Sequence, residues 1–118
     1  MNESIFESIK HIDEDGNEYW SARELQKVLE YSEWRKFRPI ISKAMRSCFN
    51  SNQSVLNHFA QLAEMVGIGS RATRKIEDYK LSRYACYLIA QNADPRKEVV
   101  ALAQTYFAVQ TRITWKRI

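Results

Sequence analysis

The sequence has little of what breaks, crosslinks or anchors a chain. Its 118 residues include only three Gly, two Pro and two Cys. No apolar run approaches the roughly 18 residues that a membrane-spanning helix needs. The N-terminus, MNESIFESIK, has neither the basic start nor the apolar segment of a secretory signal. We therefore expect a soluble, cytoplasmic protein that has no contact with a membrane.

The cysteines, the histidines and the short motifs give no sign of catalysis or of metal binding. Cys48 and Cys86 form no CxxC pair and have no histidine beside them, so we interpret them as buried free thiols. His11 and His58 lack the spacing of a zinc site. The signatures GxxxxGK(S/T), GxGxxG and GxSxG do not occur. We predict no metal, no cofactor and no catalytic residue.

Two residue combinations leave an enzymatic alternative open. Glu77 and Asp78 stand close to Lys80, and a pair of acids beside a lysine occurs in nuclease sites. Tyr84 and Tyr87 are of the residue type that attacks DNA covalently, but aromatic side chains packed within a helix explain them better. Because such short combinations arise readily by chance, a nuclease is only the third alternative.

What the chain does contain is enough apolar surface for one domain. Hydrophobic residues make up 45% of it and aromatic residues 12%, which excludes a disordered chain. The length is close to the commonest domain size, and no repeat, linker or low-complexity tract divides it. We expect a single domain over residues 1–118.

Charge is divided unevenly along the chain. Residues 1–18 carry six acidic residues and one lysine, whereas residues 19–118 carry 17 basic and 8 acidic residues, an excess of nine positive charges. The net charge of +4 conceals this division. A strongly basic body suggests an anionic partner, and nucleic acid is the first candidate.

The apolar pattern and the turn signals predict an α+β domain, rich in helix and with a small antiparallel sheet. Ile5–Ile9 has one apolar face and is typical of a short helix. Strands near Lys10–Asp13 and Glu18–Trp20 flank an Asp-Gly step, which is a hairpin signal. The first part of the chain therefore predicts a helix followed by a hairpin.

The segment after this hairpin has the clearest helix start in the sequence. Ser21 and Glu24 fit a capping box, in which each side chain bonds to a backbone N–H of the other residue. Trp20 and Leu25 occupy the positions of a hydrophobic staple. We predict a helix from about Ala22 to Glu30.

Apolar residues at helical spacing continue from Trp34 to Cys48, with basic residues on the opposite side. Pro39 interrupts this segment, and a proline within a helix removes a hydrogen bond and kinks the chain. We therefore predict a short turn over Glu33–Phe37 and a new helix from Pro39 to about Phe49.

Local patterns predict the remaining elements. Ser54 is predicted to cap a short helix, with helical spacing through Val55, Phe59, Leu62 and Val66. A hairpin is predicted to pair Met65–Ile68 with a strand over Lys75–Leu81. Two helices are predicted to follow, one over Ser82–Asn92 and a last one that begins at Asp94-Pro95 and runs through Ile113.

Two basic clusters are the candidate nucleic-acid-binding residues. The first cluster comprises Arg35, Lys36, Arg38, Lys43 and Arg46, and the second, at the tip of the predicted hairpin, comprises Arg71, Arg74 and Lys75. Their functional interpretation is neutralisation of DNA phosphates. The alternative is a solvated basic face without a ligand. Two helices joined at Tyr31-Ser32 also have the order of a helix–turn–helix.

The last helix suggests a different function. Its apolar residues recur at 3-4-3-4 spacing, with a second apolar stripe beside them; the first stripe comprises Val99, Leu102, Tyr106, Val109 and Ile113. So wide an apolar face indicates burial on two sides or contact with a partner helix. The alternative to DNA binding is therefore a protein-interaction module that forms a homodimer or binds a partner through this helix.

Three segments are distinctive in composition: WSARELQKVLEYSEWRKF, MVGIGS and LSRYACYLIAQNADPRKEVVALAQTYFAVQTR. In these segments the chain resembles the N-terminal domain of the DNA damage-inducible protein D (DinD) family, which is related to the BRO-N domain of viral BRO proteins and phage antirepressors. The resemblance runs from Ile5 to Arg112. The family usually has Gly where this sequence has Glu30, so we expect that turn to differ. Family members are also much longer, and their C-terminal portion has no counterpart here.

The resemblance implies a bacterial protein of the SOS response with an α+β domain implicated in DNA binding and DNA repair. It also implies modulation of a RecA-type recombinase, and it implies neither catalysis nor individual DNA-contact residues. Our main expectation is a non-enzymatic DNA-binding domain. A recombinase, a repressor or a second copy of the chain is the expected protein partner.

Overall fold

A computed structural model describes residues 4–62, 64–69 and 72–116, and for residues 4, 64, 66, 68 and 109–116 it describes the backbone alone. Within this part the chain forms six helices and two small antiparallel sheets, which confirms the predicted α+β class. None of the described helices combines the length and the apolar character that a membrane crossing requires.

The elements follow one another along the chain as α1 (Ser4–Ser8), β1 (His11–Ile12), β2 (Glu18–Ser21), α2 (Ala22–Val28), α3 (Trp34–Asn50), α4 (Val55–His58), β3 (Phe59–Gln61), β4 (Glu64–Gly69), β5 (Ala72–Ile76), β6 (Tyr79–Leu81), α5 (Arg83–Asn92) and α6 (Glu98–Lys116). One sheet has the strand order β1-β2-β6-β3, and β4 and β5 form a separate two-stranded ribbon. All strand pairs are antiparallel.

The core lies between the four-stranded sheet and the helices. Trp20, Leu81 and Phe59 are register partners across β2, β6 and β3 and are all buried, so they form one apolar face. Helix α5 contacts β2 and β6, and α3 and α6 pack against α5. Each large apolar side chain buried in this way stabilises the fold by roughly 1.5–3 kcal/mol. The Trp20 indole N–H donates to the Phe6 carbonyl at 2.9 Å, so this buried polar atom has a partner.

The start of α2 agrees in part with the predicted capping box. The Ser21 hydroxyl accepts the Glu24 N–H at 3.3 Å, which confirms the N-cap. The other bond of a capping box, from the Ser21 N–H to the Glu24 carboxylate, is absent between these two described residues. Instead, the Glu24 carboxylate lies 2.5 Å from the His11 imidazole on the neighbouring hairpin. The helix start is therefore tied to β1 rather than closed on itself.

The end of α2 is a Schellman motif with Glu30 in the position that favours glycine. The Glu30 N–H donates to the Lys27 carbonyl and the Tyr31 N–H donates to the Gln26 carbonyl, both at 3.0 Å. Glu30 has a φ of 64°, in the left-handed region. Helix α2 thus ends at Val28, two residues before the predicted end at Glu30. The turn has the conformation that a glycine would adopt, although Glu30 occupies it.

Helix α3 corrects the prediction at Pro39. The predicted break does not occur, because α3 runs continuously from Trp34 to Asn50 with Pro39 inside it. Pro39 is exposed and lies near the N-terminal end of the helix. The carbonyl that loses its helical partner belongs to Arg35, four residues earlier, which is exposed as well, so solvent can reach it.

Three further boundaries differ from the predicted ones. The predicted helical spacing beyond Val55 is wrong, because Phe59–Gln61 leaves α4 and pairs with β6. The predicted strand over Lys75–Leu81 is broken between Ile76 and Tyr79. The last helix begins at Glu98 rather than Pro95, because Asp94 accepts the Arg96 N–H in a preceding turn.

The strained end of α2 yields a stability prediction. We expect Glu30→Gly to raise the free energy of unfolding by about 1 kcal/mol, because glycine adopts a positive φ without steric cost. Urea unfolding of the two proteins measures the difference. Glu30→Ala is the matched control, since it removes the same charge but keeps a β-carbon, and it is expected to give no such gain. Equal gains from both variants would contradict the conformational explanation.

Candidate nucleic-acid interface

The first basic cluster lies along the solvent side of α3. Phe37, Ile41, Ala44 and Cys48 are buried against the core. The residues opposite them are exposed: Arg35, Lys36, Lys43 and Arg46. The predicted separation of an apolar and a basic face is therefore confirmed, and it holds along the whole of α3 because the helix is continuous.

Glu33 partly neutralises the N-terminal end of this face. Its carboxylate accepts Lys36 Nζ at 3.2 Å and Arg35 Nε at 3.0 Å. The hydrogen bonds from Lys36 and then Arg35 hold the pKa of the Glu33 carboxyl below its usual value. Such exposed pairs are weak, so Arg35 and Lys36 can exchange Glu33 for another anion at little cost.

Arg38 has a structural partner. Its Nε donates to Glu77 Oε2 at 3.1 Å, its Nη1 donates to the Ser42 hydroxyl, and its side chain is only 32% exposed. Arg38 therefore holds α3 against the chain just after β5. Of the first cluster, it is the residue least available to a ligand.

Glu77 is the centre of this contact between α3 and the base of the ribbon. Its carboxylate accepts the Tyr79 hydroxyl at 2.7 Å and the Trp34 indole N–H at 3.1 Å, in addition to Arg38. Burial alone would raise the pKa of the Glu77 carboxyl, but these hydrogen bonds outweigh it and the pKa is lowered. Arg23 completes the contact, because its guanidinium lies 3.9 Å from the Trp34 ring centroid and donates to the Glu77 carbonyl.

The second basic cluster lies on the ribbon formed by β4 and β5. Arg74 and Lys75 are exposed on β5, and Arg71 lies outside the described residues. The described parts of β4 and β5 contact each other far more than they contact other elements, so the ribbon projects from the domain. Strand β5 leads directly into Glu77, which contacts α3. The structure therefore places the base of the ribbon beside the N-terminal half of α3.

Four basic residues of the two clusters make no ion pair with any residue in the described part of the chain: Lys43, Arg46, Arg74 and Lys75. All four are exposed. Among the described residues no acid compensates their charge, which is available to an anionic partner. The sequence alone does not distinguish these residues from the paired cations, because the acid that pairs with Arg38 is Glu77, 39 positions away.

The residues of the nuclease alternative have structural roles. Asp78 is 2% exposed and accepts hydrogen bonds from the Ser21 hydroxyl and from the backbone N–H groups of Arg23 and Tyr79. Lys80 Nζ is 2.6 Å from Asp13 Oδ2. No group of three potential metal ligands occurs among the residues that the structure describes. No local pattern indicates the role of Asp78, because two of its three partners, Ser21 and Arg23, lie 57 and 55 positions away.

The cysteines and the aromatic pair in α5 agree with their predicted packing roles. Cys48 and Cys86 are buried free thiols. Burial raises the pKa of both thiols, which keeps them protonated. Tyr84 is buried and its ring lies 5.0 Å from that of His58, while Tyr87 is half-buried.

The predicted interface stripe of the last helix faces largely into the domain. Val99 is 1% exposed and Tyr106 is 3% exposed. Leu102 is partly buried, and the structure describes only the backbone of Val109 and Ile113. The Tyr106 ring stacks on Phe6 at 5.3 Å. Within the described part, the wide apolar face thus packs against the chain's own α1 and α5.

These features define a small α+β domain in which one sheet supports a helix layer and a basic ribbon projects beside a basic helix face. The sequence from residue 8 to residue 108 matches the BRO family, N-terminal domain. The chain belongs to this family.

A relative in Escherichia coli (strain K12), named DNA damage-inducible protein D, is 53% identical over 114 residues. The matching region is 95% of this chain but only 42% of the relative, so the chain spans less than half of the relative's length. No solved structure matches the chain significantly. The resemblance drawn from the sequence is confirmed by both the family and the relative.

The contact at Glu77 yields a prediction for pH. The pKa of Glu77 is lowered in the folded state, so the stability that its charge contributes is present above the ordinary value of 4.5 and is lost as the pH falls through the lower folded value. We expect Glu77→Gln to be less stable than the unaltered chain at neutral pH, and we expect the difference to shrink in acid. Urea unfolding at a series of pH values measures both proteins.

Glu14→Gln is the control for this experiment, because it removes the same charge from an exposed residue whose side chain makes no described hydrogen bond. It is expected to change stability little. A difference between the unaltered chain and Glu77→Gln that stays constant from neutral to acid pH would show that Glu77 acts through its shape rather than its charge.

Proposed function

We propose that this chain is a non-enzymatic DNA-binding domain that contacts phosphates through the solvent side of α3 and through the β4–β5 ribbon. The observation that carries the proposal is the set of exposed cations without a partner in the described domain: Lys43, Arg46, Arg74 and Lys75. Arg35 and Lys36 extend this set, since their pairing with Glu33 is exposed and weak. Phosphate neutralisation by such a surface releases counterions and supplies affinity.

The relationship of the two basic surfaces supports the proposal. A projecting two-stranded ribbon and a helix are both elements that DNA grooves accommodate. The Glu77–Arg38 and Glu77–Trp34 contacts hold the ribbon base against α3. Because their relative position is fixed, both surfaces would contact one DNA molecule at the same time. Two basic patches that moved independently would not do so.

The comparisons support a place in the response to DNA damage. The relative is named for induction by DNA damage, and the chain belongs to the same family. We propose that this chain acts in the SOS response and in DNA repair in the cytoplasm of a bacterium. We also propose a RecA-type recombinase or a repressor as its protein partner.

The DNA-binding proposal predicts the effect of a double substitution on α3. We expect Lys43→Ala with Arg46→Ala to weaken DNA affinity roughly tenfold at low salt and to reduce the slope of log affinity against log salt by about two, one for each lost phosphate contact. The loss is expected for every DNA sequence, because phosphates carry no sequence information. Fluorescence anisotropy titrations over a salt series measure both quantities.

The matched control is Lys27→Ala with Arg96→Ala. This double variant removes two positive charges from exposed residues outside the proposed surface, and its salt slope is expected to equal that of the unaltered chain. Equal losses in the two double variants would show that net charge rather than the α3 surface binds DNA. Unchanged affinity in the α3 variant would refute the proposed surface.

A further inference from the structure

A cleft of about 500 Å³ lies on the side of the four-stranded sheet away from the Trp20–Leu81 face. Its floor comes from β2, β6 and β3, and its walls come from α4 and the start of α5. The polar and apolar side chains around it include Asn17, Leu56, Asn57, His58, Lys80 and Arg83. A cavity of this size is typical of sites for small organic groups.

The charges in the cleft are already paired, which argues against a phosphate as its ligand. Lys80 Nζ lies 2.6 Å from Asp13 Oδ2. The Arg83 guanidinium donates twice to the Glu18 carboxylate, at 2.6 and 2.8 Å. A phosphate entering here would meet two carboxylates whose cations are engaged. A neutral ligand avoids that repulsion.

The other lining groups have the chemistry that recognises a planar polar ring. Leu56 is 80% exposed and stands beside the exposed residue Asn57 at the edge of the cleft. The Asn17 amide is exposed as well, and neither Asn side chain has a hydrogen-bond partner in the described part of the chain. Apolar contact for a ring face and amides for a ring edge are what an unpaired nucleobase requires.

His58 adds a neutral group to this lining. Its Nδ1 lies 2.6 Å from the Ser82 hydroxyl, which also accepts the Ala85 N–H as the N-cap of α5. Burial lowers the pKa of His58. The imidazole therefore has no positive charge near neutral pH, which is consistent with a neutral ring as the ligand.

The cleft is adjacent to the basic ribbon. Ala60 of β3 lines the cleft, and Leu62, two residues further on and therefore on the same side of the strand, lines a hollow of about 260 Å³ together with Lys75 and Ile76 of β5. Strand β3 therefore carries the surface from the ribbon base into the cleft. A DNA strand whose phosphates contact Arg74 and Lys75 is led toward Leu56 and Asn57.

We propose that the cleft accepts an unpaired base of single-stranded DNA whose phosphates contact the ribbon. The inference rests on the proposed DNA-binding function and names its substrate class. Bases of a duplex are paired and stacked, and they reach such a cleft only after unpairing. The cleft therefore makes the domain prefer single-stranded DNA over a duplex of the same sequence.

The test compares three labelled oligonucleotides in titrations of the full 118-residue chain: a single strand, the same strand with abasic sites, and the matching duplex. The abasic strand keeps the phosphates and lacks bases. We expect the intact strand to bind about tenfold more tightly than the abasic strand, the size of one base contact. Leu56→Ala with Asn57→Ala is expected to abolish this difference and to leave abasic and duplex affinities unchanged.

The matched control is Phe49→Ala with Asn50→Ala, which truncates another exposed apolar residue followed by an exposed Asn, outside the cleft. It is expected to keep the full difference between the intact and abasic strands. A free deoxynucleoside at an equal concentration of bases is expected not to compete. If it displaces the base-dependent part of binding, the ligand is the free nucleoside and the strand assignment is wrong.

The outcomes separate this inference from the function on which it rests. Salt-dependent binding with equal affinity for the intact and abasic strands would overturn the cleft inference and leave the phosphate-binding surface standing. The same holds if the Leu56 and Asn57 variant weakens binding to all three oligonucleotides equally. Absence of any DNA binding by the unaltered chain would overturn both.

Discussion

The buried carboxylate of Asp78 is the interaction on which the rest of this structure depends. It accepts the Ser21 hydroxyl at 2.8 Å, the Arg23 N–H at 3.0 Å and the Tyr79 N–H at 2.7 Å. A buried carboxylate without partners costs several kcal/mol, so all three donors are held together. Their positions fix the end of β2, the first turn of α2 and the start of β6 at one point.

The adjacent residue extends this arrangement to the surface. Asp78 is buried, whereas the Glu77 side chain is 40% exposed and contacts Trp34 and Arg38 of α3. Two successive acids therefore connect the sheet to α2 on the inside and to α3 on the outside. Because β5 ends just before them, the same two residues also set where the basic ribbon leaves the domain. The acidic N-terminal segment pairs with Lys80 of the sheet and with Arg83 at the start of α5. Four exposed cations of α3 and the ribbon, in contrast, make no ion pair with any described residue.

Features that depend on a few neighbouring residues were predictable. Ser21 and Ser54 were predicted as helix caps, and each accepts an N–H three residues ahead. Ser82 does the same for α5, although it was predicted as a residue of that helix. Pro39 misled because the packing of the whole of α3 against α5 outweighs one lost hydrogen bond near the start of the helix, and no local pattern shows that packing. The interruption of the predicted strand at Glu77-Asp78 was not predictable, because the residues that bind these two acids, such as Ser21 and Arg38, are distant in sequence.

The sequence by itself determined the start of α2, the first hairpin and the apolar and basic faces of α3. These follow from periodicity and from side chains that bond within three or four positions. Only the tertiary structure decided which of those basic residues are free, because an ion pair such as Arg38–Glu77 joins residues 39 positions apart. It alone formed the cleft between β2, β6, β3, α4 and α5, since the lining comes from five elements whose meeting depends on packing of the whole chain.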